Sequence, residues 1–231
     1  MSNDTPDQQR RIRSYVLRGG RMTAAQKQAY SDHWTKWGLS VDQGIVDFDH
    51  HFSRSSSRVL EIGFGMGASL AEMAEKDTNT DIIGVEVYPP GVAKLMHIMH
   101  ERSIDNIRIF CHDAVEVIKN NIEDSSLDTI QIFFPDPWHK KRHHKRRLIQ
   151  HEFVEQLRSK LKVGGFLHLA TDWQNYAEQM LVVLSDTEGY FNLSTDKTYI
   201  DRPSNRPLTK FEKRGERLGH SVWDLKFQRI A

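Results

Sequence analysis

Four acidic residues, Glu61, Glu86, Asp113 and Asp136, stand where successive strands of an alternating strand–helix pattern would end. Around the first, Glu61-Ile62-Gly63-Phe64-Gly65-Met66-Gly67 follows a short apolar run and opens a helix-like segment. Glycines at Gly63, Gly65 and Gly67 allow a tight turn and close approach of the backbone to a bound cofactor. Alone, such a string also fits a plain structural turn. Its context argues for a nucleotide-type cofactor: a strand before, a helix after, and Glu86 about 20 residues on, where a carboxylate can grip two ribose hydroxyls.

The spacing is not the G-x-G-x-x-G that seats a pyrophosphate on a helix N-terminus. The Glu61 carboxylate beside the loop would repel a pyrophosphate but suit the cationic amine of a methionine moiety, directly or through water. These residues favour S-adenosylmethionine over NAD. Asp113, in Cys111-His112-Asp113-Ala114, can accept from an adenine amino group or cap the following helix, and both roles can hold at once. Asp136 lies between Pro135 and Pro137, which limit its backbone freedom. It is the candidate for orienting a substrate base beside the transferable methyl, with a turn aspartate as the alternative.

Directly after it runs Trp138-His139-Lys140-Lys141-Arg142-His143-His144-Lys145-Arg146-Arg147, uninterrupted by any acid. A solvated helix face usually mixes both signs. A phosphate-rich substrate explains both the charge and its place at the cleft, whereas a localisation-type patch has no reason to abut a cofactor site. Trp138 reads as a packing anchor rather than a stacking platform. The pairs His50-His51 and His143-His144 lack accompanying ligands at metal spacing, so no metal site is expected.

The elements that must position these residues form a regular series. Strands are expected over residues 59–62, 81–87, 107–111, 127–134 and 166–170, alternating with helices over 68–76, 89–102, 114–120, 151–161 and 173–184. That order implies an α/β fold with a doubly wound, mainly parallel sheet. Two further strands, 190–194 and 222–227, have no helix between them. They bring the expectation to seven strands, with an antiparallel C-terminal edge strand. The segment between them is long enough to suggest function. Residues 1–30, which carry Arg10, Arg11, Arg13, Arg18 and Arg21, read as a flexible basic arm, and residues 31–231 as the domain.

The net charge of +1 excludes a general polycation, so nucleic-acid contacts must be concentrated locally. The one cysteine, Cys111, excludes an intramolecular disulfide and suits a reducing compartment. The polar N-terminus is unlike a secretion signal, and no apolar run approaches the roughly 20 residues that span a bilayer. A cytoplasmic protein with no membrane contact and no obligate protein partner is expected, as a monomer.

Together these residues resemble the bacterial tRNA (guanine-N7)-methyltransferase family, of the class I S-adenosylmethionine-dependent fold. The matching segments are residues 61–67, Glu86, Cys111-His112-Asp113-Ala114, residues 134–147, Thr171-Asp172 with Tyr176-Ala177, and Arg206-Pro207 through Thr209-Lys210-Phe211-Glu212 to Arg214-Gly215. The resemblance implies that Glu61, Glu86 and Asp113 hold S-adenosylmethionine, and that Asp136 completes that pocket as the principal catalytic-site residue. It implies substrate contacts from Lys140, Asp172, Thr209, Lys210, Phe211 and Glu212, and RNA contacts from Arg142, His143, His144, Lys145, Arg146 and Arg147. It also implies that the substrate is tRNA, methylated at guanine N7 in the variable loop. The residues themselves reach only a methyl donor and a polyanion. Three rivals stand beside this reading: an exocyclic-amine methyltransferase, a dinucleotide oxidoreductase, and an RNA-binding module on a relic cofactor fold.

Overall fold

The apolar run after Arg58 forms β2 (Ser57–Ile62), whose last four residues are buried. It pairs in parallel with β3 (Thr80–Val85) on one side and β5 (Leu127–Phe133) on the other. From β3 the sheet continues outward through β4 (Ile107–Phe110) to β1 (Gly38–Leu39). From β5 it continues through β6 (Leu161–Thr171) and β8 (Trp223–Arg229) to β7 (Tyr190–Asn192). The chain therefore winds away from β2 in both directions, and the crevice outside the carboxyl ends of β2 and β5 is where such sheets take ligands. This computed structural model describes residues 13–16, 21–209, 212 and 221–231.

Helices cover both faces, as parallel strands buried on two sides require. On one face α3 (Ala68–Lys76) and α4 (Pro89–Arg102) bury Leu70, Ala71, Val92, Leu95 and Met96, joined by Trp37 of α1 (Ala24–Trp37). On the other, α5 (Ala114–Asn121), α6 (His151–Lys160) and α7 (Gln174–Asp186) bury Val117, Phe153, Leu157, Tyr176 and Met180. A five-residue helix, α2 (Phe48–Phe52), leads into β2.

Three details correct the sequence expectation. The sheet has eight strands among the described residues, because the two-residue β1 pairs beside β4. The C-terminal strand β8 is antiparallel but is not the edge; it lies between β6 and β7. Residue 30, the expected end of the arm, falls inside α1, which begins at a capping box of Thr23 and Gln26.

Two close approaches set the loop after β2. A Cβ on Gly91, in the first turn of α4, would stand 2.1 Å from the carbonyl oxygen of Gly65. A Cβ on Gly67 would stand 2.6 Å from Leu95 Cβ. Neither neighbour can give way without moving the loop or the helix. Gly91→Ala is therefore expected to lower affinity for the methyl donor at least about tenfold while costing about 1–3 kcal/mol of stability, the usual range for overpacking. Donor titration calorimetry alongside thermal unfolding checks this.

Candidate active site

The four acids expected at strand ends do not all face the same space. Gly63, Gly65, Glu86, Asp113 and Asp136 line one cleft of about 460 Å³ beyond β2, β3, β4 and β5. Glu86 is 9% exposed and is held by backbone: Oε2 accepts from Gly65 N at 2.8 Å, and Oε1 from Val87 N at 2.7 Å and Tyr88 N at 3.0 Å. Burial raises its pKa, the three N–H donors oppose that shift, and the nearby Asp136 carboxylate adds to it. Asp113 caps α5, accepting from Val115 N at 3.0 Å, while also lining the cleft.

Gly67 and Glu61 are not among the residues that line the cleft. Gly67 is the N-cap of α3 and lies close against Leu95, bringing helix and loop together. Glu61 is 3% exposed, and its Oε2 has no hydrogen-bond partner among the described residues. Directly across from it on β5 is Gln131, whose Oε1 is also unpartnered. Burial pushes the Glu61 carboxyl up to about 8.

Asp136 stands exposed in a rigid turn. Phe134 and Trp138 on either side have φ of 54° and 47°, a region costly for residues with side chains. The turn is held from three directions. Phe134 N donates to Ala170 O at 2.8 Å, Arg147 Nε to Pro137 O at 2.9 Å, and Trp138 Nε1 to Ser14 O at 3.0 Å. Trp138 is thus an anchor, with the Arg146 guanidinium 4.0 Å from its ring centroid.

The basic run is a 3-10 segment, Lys141–Arg146, and its cations divide into two groups. Lys140, Lys141, Arg142 and Lys145 are exposed; His143, His144 and Arg146 are half-buried. Arg147 is 2% exposed, and its guanidinium is taken up by partners inside the fold. Besides Pro137 O, it donates to Gln179 Oε1 at 2.6 Å and Asn175 Oδ1 at 2.9 Å, meets His144 Nε2 at 3.1 Å, and covers the Tyr176 ring. It fastens the loop to α7.

Of the expected substrate contacts, Asp172 lies past β6 in a second, shallower depression with Trp173 and Trp223. Thr209 and Glu212 bond each other's backbone N–H. Glu212 is 2% exposed and accepts from Arg206 Nη1 at 2.6 Å, so its carboxylate is bound inside the fold. Lys210 and Phe211 lie outside the described residues. Sequence reasoning missed Ser14, Tyr15 and Val16, which line the donor cleft. Their only signal was proximity to the arginines of the arm.

Residues 55–225 match the family described as "Putative methyltransferase". The chain is 56% identical over 221 residues to the tRNA (guanine-N(7)-)-methyltransferase of Shewanella amazonensis, covering 96% of this chain and 93% of that protein. It is 55% identical over 220 residues to the enzyme of the same name from Yersinia enterocolitica, covering 95% and 92%. The chain belongs to the tRNA (guanine-N7)-methyltransferase family. Among solved structures, the 16S rRNA methyltransferase KamB superposes with a TM-score of 0.60 at 12% identity, over 80% of this chain and 94% of that one. An rRNA methylase from Streptococcus thermophilus gives 0.52 at 12% identity, over 81% and 99%. These two neighbours share the fold of the family.

S-adenosylmethionine is the cofactor of this family, and the cleft fits it. The Glu86 carboxylate keeps acceptor capacity beyond its three backbone bonds, for hydroxyls. Glu61 brings an unpartnered carboxyl oxygen up behind the loop, suited to an amine. A raised carboxyl pKa also has a consequence for folding. The folded chain retains a proton on Glu61 that the unfolded chain releases near pH 4.5, so this group's stabilisation is complete below that pH and is lost as pH rises to about 8. Glu61→Gln should remove that loss. Without donor, its melting temperature relative to the parent should climb between pH 5 and pH 8, by about 2–4 °C per kcal/mol. A difference that is flat with pH would contradict the assignment.

Proposed function

We infer that this chain transfers the methyl group of S-adenosylmethionine to N7 of a guanine in the variable loop of tRNA. The observation that carries the reading is the placing of Asp136. It shares the donor cleft with Glu86, and the exposed Lys140, Lys141, Arg142 and Lys145 follow it directly. The resemblance to the family supports the variable loop as the target. The substrate class supports the cytoplasm as its place of action. Among the described residues no helix is long and apolar enough to cross a membrane.

When bound, S-adenosylmethionine supplies an electrophilic methyl on a sulfonium. Glu86 would hold the ribose hydroxyls, Asp113 the adenine amino group and Glu61 the amine. Guanine N7 presents a lone pair and needs no deprotonation before it is alkylated. Asp136 therefore acts by orienting the base and by steadying the positive charge that grows on it, not as a general base. Alignment of this kind is worth roughly 7–11 kcal/mol of barrier. Asp172 and Thr209 would grip the guanosine, and the exposed cations would grip phosphates.

Incubation with unmodified tRNA and labelled donor, followed by nucleoside analysis, should yield 7-methylguanosine, and sequencing of the product should place it in the variable loop. A methyl on an exocyclic amine would refute the reading. Asp136→Ala should lower kcat by roughly 10²–10³, with unchanged melting because the side chain is exposed.

The two classes of cation separate by salt. Lys141→Glu with Arg142→Glu should weaken tRNA binding and flatten its salt dependence, by about 0.7–0.9 in the log–log slope for each phosphate that the protein ceases to neutralise. Arg147→Lys should lower the melting temperature and leave that slope unchanged.

A further inference from the structure

Arg206 is 2% exposed, and each end of its guanidinium meets an acid. Nε and Nη2 donate to the two carboxylate oxygens of Asp224 on β8, both at 2.8 Å. Nη1 donates to Glu212 Oε1 at 2.6 Å. The other oxygen of Glu212 accepts from Thr209 N at 2.9 Å, and Thr209 Oγ1 accepts from Glu212 N at 3.1 Å. Asp224 Oδ1 also meets Nε2 of His168, on β6, at 2.7 Å.

The guanidinium also lies near the end of β5. Its central carbon is 5.7 Å from the ring centroids of both Phe133 and Phe134. The His168 ring meets Phe133 edge-on at 4.9 Å. Phe134 is the residue with φ of 54° that begins the turn carrying Asp136. One side chain thus touches the segment that presents Thr209, the strand that pairs with β6, and the base of the Asp136 turn.

We propose that Arg206 is a positioning residue for methyl transfer, holding Thr209 and the Phe134–Asp136 turn in one fixed relation through Glu212 and the two phenylalanine rings. The proposal rests on the function inferred above. Burying an ion pair is a poor route to stability alone, since well-packed apolar side chains often do as well. A role in geometry accounts for what the cluster uses: a planar fork that binds one carboxylate in two places, a third nitrogen for a second acid, and a face for aromatic rings. Lysine offers the charge without the fork or the face.

Arg206→Lys separates charge from geometry. It is expected to keep the circular dichroism spectrum, donor Kd within about threefold and tRNA Kd within about threefold, while kcat on tRNA falls tenfold or more. Glu212→Gln keeps an acceptor for Thr209 N and weakens the grip on Arg206; kcat should fall at least threefold with both Kd values retained. If Arg206→Lys does not fold, Glu212→Gln decides. Parent-like kcat in the folded variants overturns the proposal, as does a fall in kcat matched by equal falls in donor and tRNA affinity, which marks a merely structural role. The parent chain in the same assay tests the functional reading separately, because absence of 7-methylguanosine there would remove the reaction that Arg206 is held to serve.

Discussion

Gly65 donates its N–H to the Glu86 carboxylate at 2.8 Å, and its carbonyl lies where any side chain on Gly91 would have to begin. The loop after β2, the end of β3 and the first turn of α4 meet at that peptide. A buried carboxylate loses several kcal/mol of hydration, and a hydrogen bond to a charged group returns roughly 1.5–3 kcal/mol. Three backbone donors on Glu86 are therefore of the size needed to keep it in place, though burial still leaves its pKa raised. Glu61 has no such donors, and burial acts on it unopposed. Two glutamates at neighbouring strand ends thus differ in character: one is a fixed acceptor at the cleft wall, the other a buried carboxyl whose pKa burial pushes up without opposing donors.

The same contrast divides the arginines. Arg147 and Arg206 are buried and bound on several nitrogens, while Arg142 is exposed. Both buried arginines lie beside the turn of Asp136, Arg147 bonded to the Pro137 carbonyl and Arg206 near the Phe133 and Phe134 rings. Positive charge close to this turn is therefore partly architecture. The exposed lysines beside it still present a basic surface.

Most of the sheet was legible because parallel strands buried on both faces leave continuous apolar runs, such as residues 82–85, separated by helix-length segments. The elements before β2 were not. α1 buries only Trp37, so it shows no broad apolar stripe, and its start depends on a local capping box. β1 has two residues, too short for any period. β8 was legible as a strand but not in its place, since insertion between β6 and β7 is decided by pairing across the chain. The gathering of Glu86, Asp113 and Asp136 around one cleft was legible from their positions at strand ends. The interior work of Arg147 and Glu212 was not. A charged residue in a basic or polar run looks the same in sequence whether it faces water or a partner thirty residues away, as Arg147 and Gln179 do.

Alkylation at a ring nitrogen with a free lone pair makes few chemical demands, and the structure is arranged accordingly. No nucleophile has to be made and no proton has to be moved before transfer. What remains is to bring three atoms into line and to tolerate a positive charge on the product. That places the burden on rigidity. Phe134 and Trp138 hold φ values that cost about 1–3 kcal/mol each, and such strain persists only where surrounding contacts exceed it. Here the hydrogen bonds to Ala170, Ser14 and Pro137 do so, with two buried arginines behind them. A turn free to relax would cost less and would let Asp136 wander by an ångström or more. For a reaction whose acceleration comes from alignment, that freedom would forfeit more than the strain it relieved.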